Sequence, residues 1–147
     1  MIKSKFVKTL VASLLTVGVI AGYAGTSAYA KNNSDTGWSF SVFGDEGTQY
    51  TDSREKQDNS KAYCKINNYN GKDDDYLQMY LVDGNKHKFS KTPVKTVTGT
   101  GEYSITNYAY EDRKKTPVRI AFYAPYRNFY TWSASGVWSP DSSGSYN

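Results

Sequence analysis

Large apolar residues alternate with small or polar ones in several short runs along the chain. In residues 38–43, Trp38, Phe40 and Val42 fall on one face and Ser39 and Ser41 on the other, the period-two pattern of a half-buried β-strand. Ala62, Cys64 and Ile66 share a face in the same way. Residues 76–82 carry the clearest such pattern, with Leu77, Met79 and Leu81 pointing one way and Tyr76, Gln78, Tyr80 and Val82 the other. Residues 118–123 alternate again until Pro125 ends them. Shorter strands are expected within 48–51 and 103–110, and at 129–132 and 134–138, the last two as a hairpin or as separate strands. Pro93 limits residues 91–97 to an edge strand or a loop.

Turn chemistry separates these runs. Residues 44–47, 67–75 and 99–101 are rich in Gly, Asn and Asp. Asp83-Gly84-Asn85 predicts a tight hairpin that returns residues 86–89 alongside 76–82. Residues 111–115 read as a charged turn, and 52–60 as an exposed loop or ragged edge. No stretch of ten residues after position 30 places apolar residues at i, i+3, i+4 and i+7, so helix is almost absent. Short strands with frequent turns predict an all-β fold, a single-domain antiparallel β-sandwich of about seven to nine strands.

The first thirty residues follow another pattern. Lys3, Lys5 and Lys8 precede an apolar run at 9–21, and small residues lead to Ala28-Tyr29-Ala30, the three parts of a secretory signal peptide. The expected organisation is a signal peptide at 1–30, a flexible mature N-terminus at 31–37 and a β-sandwich domain at 38–147. The apolar run is shorter than the roughly twenty residues of a spanning helix, so a secreted product with no permanent membrane span is expected.

Processing changes the charge. The chain has 18 Lys+Arg and 14 Asp+Glu, and without the three leader lysines its net charge is about +1. Nucleic-acid binding is therefore not expected, since it needs a strong basic footprint. Cys64 is the only cysteine, so an exported product has no intramolecular disulfide and its core must hold the fold. Alternation places Cys64 in that core rather than at a reactive surface.

Catalytic chemistry finds little footing. His87, the only histidine, sits between Lys86 and Lys88 after a turn and reads as a solvated residue. One His and one Cys cannot supply a zinc site. Asp73-Asp74-Asp75 reads as a solvated acidic turn rather than a calcium loop. No phosphate loop or nucleophile elbow occurs, and no pair among the acids stands out for glycoside hydrolysis. No catalytic residue, metal or cofactor is assigned.

Aromatic residues change the picture. They make up 16% of the chain, and twelve tyrosines follow residue 30, more than apolar filling explains because each buried hydroxyl needs a partner. Cross-strand packing accounts for part of them. The remainder suggests a recognition surface, with Arg119, Tyr123, Tyr126, Arg127, Tyr130 and Trp132 as binding candidates, Phe129 among them, for a cell-envelope component or another protein. Trp38, Trp138, Pro140 and Asp141 are expected to be structural: Trp138 plugs the bottom of the sandwich, Pro140 ends the strand and Asp141 makes a local turn bond.

Residues 105–111 (Ile-Thr-Asn-Tyr-Ala-Tyr-Glu) and the later Gly136-Val137-Trp138-Ser139-Pro140-Asp141-Ser142 block resemble a group of small secreted proteins from Gram-positive bacteria whose function is uncharacterised. Arg54-Glu55-Lys56 and residues 60–65 look like the same group's early block. In its architecture, with an early Gly37-Trp38, alternating β segments and aromatic late strands, the chain is more loosely similar to lactococcin-like bacteriocins. These resemblances imply a secreted, non-enzymatic binding or interaction protein acting at the cell envelope, bacteriocin-like, with dedicated immunity or export partners unnamed. The alternatives are a secreted hydrolase or envelope-modifying enzyme with an unrecognised carboxylate site, and a structural extracellular protein.

Overall fold

In the computed structural model the described residues are 34–43, 47–71, 75–125 and 131–144. Nine strands and one short helix succeed one another: β1 (Thr36–Phe43), β2 (Gln49–Tyr50), β3 (Arg54–Lys56), β4 (Ala62–Tyr69), β5 (Leu77–Asp83), β6 (Lys95–Val97), β7 (Gly101–Ile105), α1 (Ala109–Arg113), β8 (Thr116–Tyr123) and β9 (Thr131–Ser139). They form two antiparallel sheets, one ordered β1-β9-β4-β7 and the other β2-β8-β5-β6, with β3 also paired to β8.

Alternation decides which side chains enter the space between the sheets. Trp38 and Val42 of β1, Ala62, Cys64 and Ile66 of β4, and Trp132, Ala134 and Trp138 of β9 meet Leu77, Met79 and Leu81 of β5 and Val118, Ile120 and Phe122 of β8. Aromatic rings join the two layers: Phe122 lies 4.3 Å from Trp38 and 5.2 Å from Phe40 between centroids, and Phe40 meets Trp132 edge-on at 5.0 Å. Cys64 is fully buried, and burial pushes its thiol pKa up, partly offset by the Trp38 indole. Even so, no hydrogen bond of ordinary geometry satisfies Trp38 Nε1.

Several expectations need correction. The first strand starts at Thr36 rather than Trp38, because β1 pairs along its whole length with β9, Thr36 opposite Trp138. Residues 131–138 form neither a hairpin nor two strands: Trp132, Ala134, Gly136 and Trp138 face the same way through one continuous β9, which pairs with β1 on one side and β4 on the other. The turn at Asp83-Gly84-Asn85 closes, with Lys86 N donating to Asp83 O at 2.9 Å. Beyond it the pairing with β5 is limited to the single bridge Val82–Lys88, with Asp83 N donating to His87 O at 2.9 Å, since β8 takes one edge of β5 and β6 the first residues of the other. Residues 109–113, expected as strand and charged turn, form α1. Glu111 and Asp112 in its first turn and Arg113 in its last suit the helix dipole, and Ala109 anchors it in the core. Five residues are too few for a helical period to be visible.

The segment 52–60 is not simply an exposed loop, because it contains β3 and the fully buried Lys56. Asp75, at the entry to β5, is buried rather than solvated; Asp73 and Asp74 lie outside the described residues.

The terminal corner forms, by a different device from the one expected. Trp138 has no exposed surface, and β9 ends at Ser139 before Pro140. Asp141 does not make a local side-chain turn bond: its carboxylate binds residues some eighty positions earlier, accepting from Lys56 Nζ at 2.8 Å and from the amide N–H groups of Gln57 and Asp58. Two residues before Lys56, Arg54 donates to Trp138 O at 3.3 Å and sets its guanidinium 5.9 Å from the Trp138 ring centre. Alternate residues of β3 thus clamp the corner on both sides of Ser139, Arg54 at Trp138 and Lys56 at Pro140 and Asp141.

Candidate functional site

The outward face of the five-stranded sheet is built by strand register. Tyr50 of β2 lies opposite Ala121 of β8, and Ala121 lies opposite Tyr80 of β5. Directly paired residues point to the same side, and the inward neighbours Ile120, Phe122, Met79 and Leu81 are in the core. Tyr50, Ala121 and Tyr80 therefore form one row across the outer surface. Adjacent rows add Arg119 beside Val82, and Tyr123 beside Gln78 and Thr96. Ala121 and Val82 are buried although they face away from the core, as expected for small residues flanked by large ones.

Two lysines from the loop after β5 cover this row. Lys86 Nζ lies 4.8 Å from the Tyr50 ring centre, and Lys88 Nζ lies 5.2 Å from that of Tyr80. Each contact contributes about 0.5–1 kcal/mol at an exposed site.

Asp83 organises the loop. Its carboxylate accepts from the amides of Asn85 and His87, both at 2.9 Å, and from Arg113 at 2.5 Å. Burial raises the Asp83 pKa, but the His87 amide, Arg113 and the Asn85 amide outweigh it and hold the carboxyl below its ordinary range. Lys86 takes a left-handed conformation with φ of 71°, which aims its side chain from the tight turn.

Arg119 completes the support. Its Nε donates to Gly84 O at 3.1 Å and its Nη1 to Thr51 O at 2.7 Å, so it braces the lysine loop against the residue following Tyr50. Beside Tyr50 an open cleft of about 530 Å³ is lined by Asp52, Asn67, Ser39, Ser135, Gly136 and Trp38, among others. Its volume is within the range of about 300–1,000 Å³ for small-ligand sites, and its lining presents hydroxyl, amide and carboxylate groups beside an aromatic ring.

The expected binding set is divided by this arrangement. Tyr123 is on the outer face and exposed, and Arg119 reaches that face as a brace between backbone carbonyls. Trp132 was expected at a surface, but it is buried in the core against Phe40, because its strand turns every second residue inward. Tyr126, Arg127 and Tyr130, with Phe129, lie outside the described residues. Tyr50, Tyr80, Lys86 and Lys88 were not singled out from the sequence. The available signals were the outward alternation of Tyr80 and the Lys-His-Lys run after a turn; the pairing of β2 with β8 has no local signal.

Lysine over tyrosine recurs elsewhere, with Lys91 on Tyr108, Lys95 on Tyr103 and Lys114 on Tyr110. Much of the tyrosine excess thus serves as platforms for lysine side chains. His87 is exposed, with Nδ1 3.6 Å from Asp83 Oδ2. Among the described residues no group of three His, Cys, Asp or Glu side chains is placed to hold a metal ion, and no helix is long and apolar enough to cross a membrane.

In comparison with known families, residues 26–142 fit the family described as Protein of unknown function (DUF2712). No curated protein and no solved structure matches the chain.

Proposed function

The chain belongs to the DUF2712 family of proteins of unknown function, and from the geometry above and the sequence resemblances of residues 54–65, 105–111 and 136–142 we propose that it is a secreted, non-enzymatic binding protein of a Gram-positive bacterium that acts at the cell envelope in the manner of a bacteriocin. The observation that carries this reading is the Tyr50–Ala121–Tyr80 row with Lys86 and Lys88 over its rings. The tyrosine rings hold the two ammonium groups in place, and ammonium groups suit phosphate or carboxylate. Together they fit an anionic glycopolymer, and the polar cleft beside Tyr50 extends the same chemistry to hydroxyl groups.

The export reading rests on the basic, apolar and small-residue parts of residues 1–30. A net charge near neutrality after processing keeps the affinity local to this face rather than spread over the molecule.

The test adds the purified chain to envelopes and to growing cultures of related Gram-positive strains. Saturable envelope binding with slowed growth is expected. Binding without growth inhibition removes the antagonistic part of the proposal, and absence of binding removes the whole of it.

A further inference from the structure

At the opposite kind of site, sealed rather than open, the Lys56–Asp141 pair has the parts of a condensation reaction. Both side chains have no exposed surface, and Nζ lies 2.8 Å from Oδ1. Pro140 O accepts from the same Nζ at 2.7 Å, which fixes the amine beside the carboxyl. The Gln57 amide donates to Oδ2 at 3.0 Å and to Oδ1 at 3.2 Å, and the Asp58 amide donates to Oδ1 at 3.3 Å. A second carboxylate, Asp58, stands 3.9 Å from Nζ and makes side-chain contact with Asp141. Its side chain is partly exposed, so it can exchange protons with water.

We propose that Lys56 and Asp141 condense within the folded chain to form an amide between Nζ and Cγ, cross-linking β3 to the C-terminal corner. The desolvated site supplies the conditions. A buried ammonium and carboxylate are costly to keep charged, and transfer of one proton from Nζ to the carboxylate leaves a neutral amine facing a carboxylic acid.

The Nζ lone pair then forms a bond to Cγ. Oδ1, which Nζ faces at 2.8 Å, carries the transferred proton, and the oxygen that becomes negative, Oδ2, already faces the Gln57 amide at 3.0 Å, a donor of the type that stabilises tetrahedral intermediates. Asp58 takes the remaining surplus proton from nitrogen and delivers it to the departing hydroxyl. The Cγ–O bond breaks and water leaves. One ammonium and one carboxylate become one amide and one water, with no change of oxidation state and no co-reactant. Fixed geometry supplies the drive that two free reactants lack.

Asp58 is kept in its proton-accepting form. Burial raises its pKa, but hydrogen bonds from the Ser60 side chain and amide and the charge of Lys56 outweigh it, and the net shift is downward. The product also answers a need of the sequence. Residues 56 and 141 are 85 positions apart, so the link closes a long loop and restricts the unfolded chain as a disulfide would, in a chain whose single cysteine cannot form one within itself.

Intact mass spectrometry of the denatured full chain tests the proposal without any ligand, so it stands or falls apart from envelope binding. The expected mass is one water below that of the sequence, whatever N-terminus processing leaves, and fragmentation of a protease digest is expected to join the peptides containing Lys56 and Asp141. Asp58→Asn keeps the amine, the carboxyl and the fold, so it is expected to show a native circular dichroism spectrum with the full sequence mass. Lys56→Met is expected to show no link. A wild-type chain at full sequence mass, or a lost water that maps away from residues 56 and 141, overturns the proposal. Linking in Asp58→Asn at the wild-type extent overturns the proton-transfer role of Asp58.

Discussion

A Cβ placed on Gly136 would lie 1.8 Å from the carbonyl oxygen of Lys65. The close approach occurs where β4 slips register against β9, between Ile66 and Asn68, with Asn67 as the extra residue. Only glycine lets the two backbones meet there, because it alone has no Cβ. Gly136→Ala forces β9 away from β4 in the middle of the four-stranded sheet. The expected loss is about 1–3 kcal/mol, of the size found for overpacked cores, and urea denaturation measures it. A variant as stable as wild type contradicts this account of the bulge.

The aromatic bridge between the layers makes a second prediction. Trp132 and Phe122 both pack around Phe40, and truncating either to Ala removes a large buried ring. Each change is expected to cost about 3–5 kcal/mol, read as a lower denaturation midpoint. For Trp132 this separates a core role from the surface role its neighbours in the sequence suggest: envelope binding falls only as the folded fraction falls.

Acid sensitivity follows from Asp83. Its carboxyl is held below the ordinary range in the folded state, so the stability it contributes is present above the unfolded pKa of about 3.9 and is lost as pH falls through that value toward the folded one. Asp58, whose carboxyl pKa is raised by burial but held below the ordinary range by the Ser60 hydrogen bonds and the Lys56 charge, acts in the same direction. Asp83→Asn is expected to be less stable than wild type at neutral pH and to lose less on acidification. Thermal melts from pH 7 to pH 3 check both, and parallel curves for the two proteins contradict the assignment.

Cys64 supplies a test of the core itself. With the thiol fully buried and its pKa pushed up by burial, native protein is expected to resist a thiol reagent that labels it rapidly in denaturant. Rapid labelling of the native chain contradicts the packing of β4.

Much of this fold is legible in the sequence, for a physical reason. The core is assembled from period-two runs, so Trp38, Val42, Cys64, Ile66, Leu77, Met79, Leu81 and Phe122 announce their burial locally. Sheet order is not local. The chain passes repeatedly from one sheet to the other, so β1 finds β9 and β2 finds β8 across most of the sequence, and no short-range pattern records those pairings. The candidate site shares this limit. Tyr123 and Arg119 stand out as residue types, but their company on the outer face depends on the register that brings Tyr50 and Tyr80 to either side of Ala121. Lys56 was hidden for another reason: polarity usually marks an exposed residue, and only Asp141 at the far end of the chain makes its burial tolerable.

The most direct measurement of the binding proposal is co-sedimentation of the full chain with intact Gram-positive envelopes, comparing wild type with the Tyr50→Ala/Tyr80→Ala double variant and measuring melting alongside. Both rings lie on the outer face, so the account predicts binding weakened at least tenfold, about 1.4 kcal/mol, with a melting temperature near that of wild type. Undiminished binding by a double variant that folds normally would contradict it.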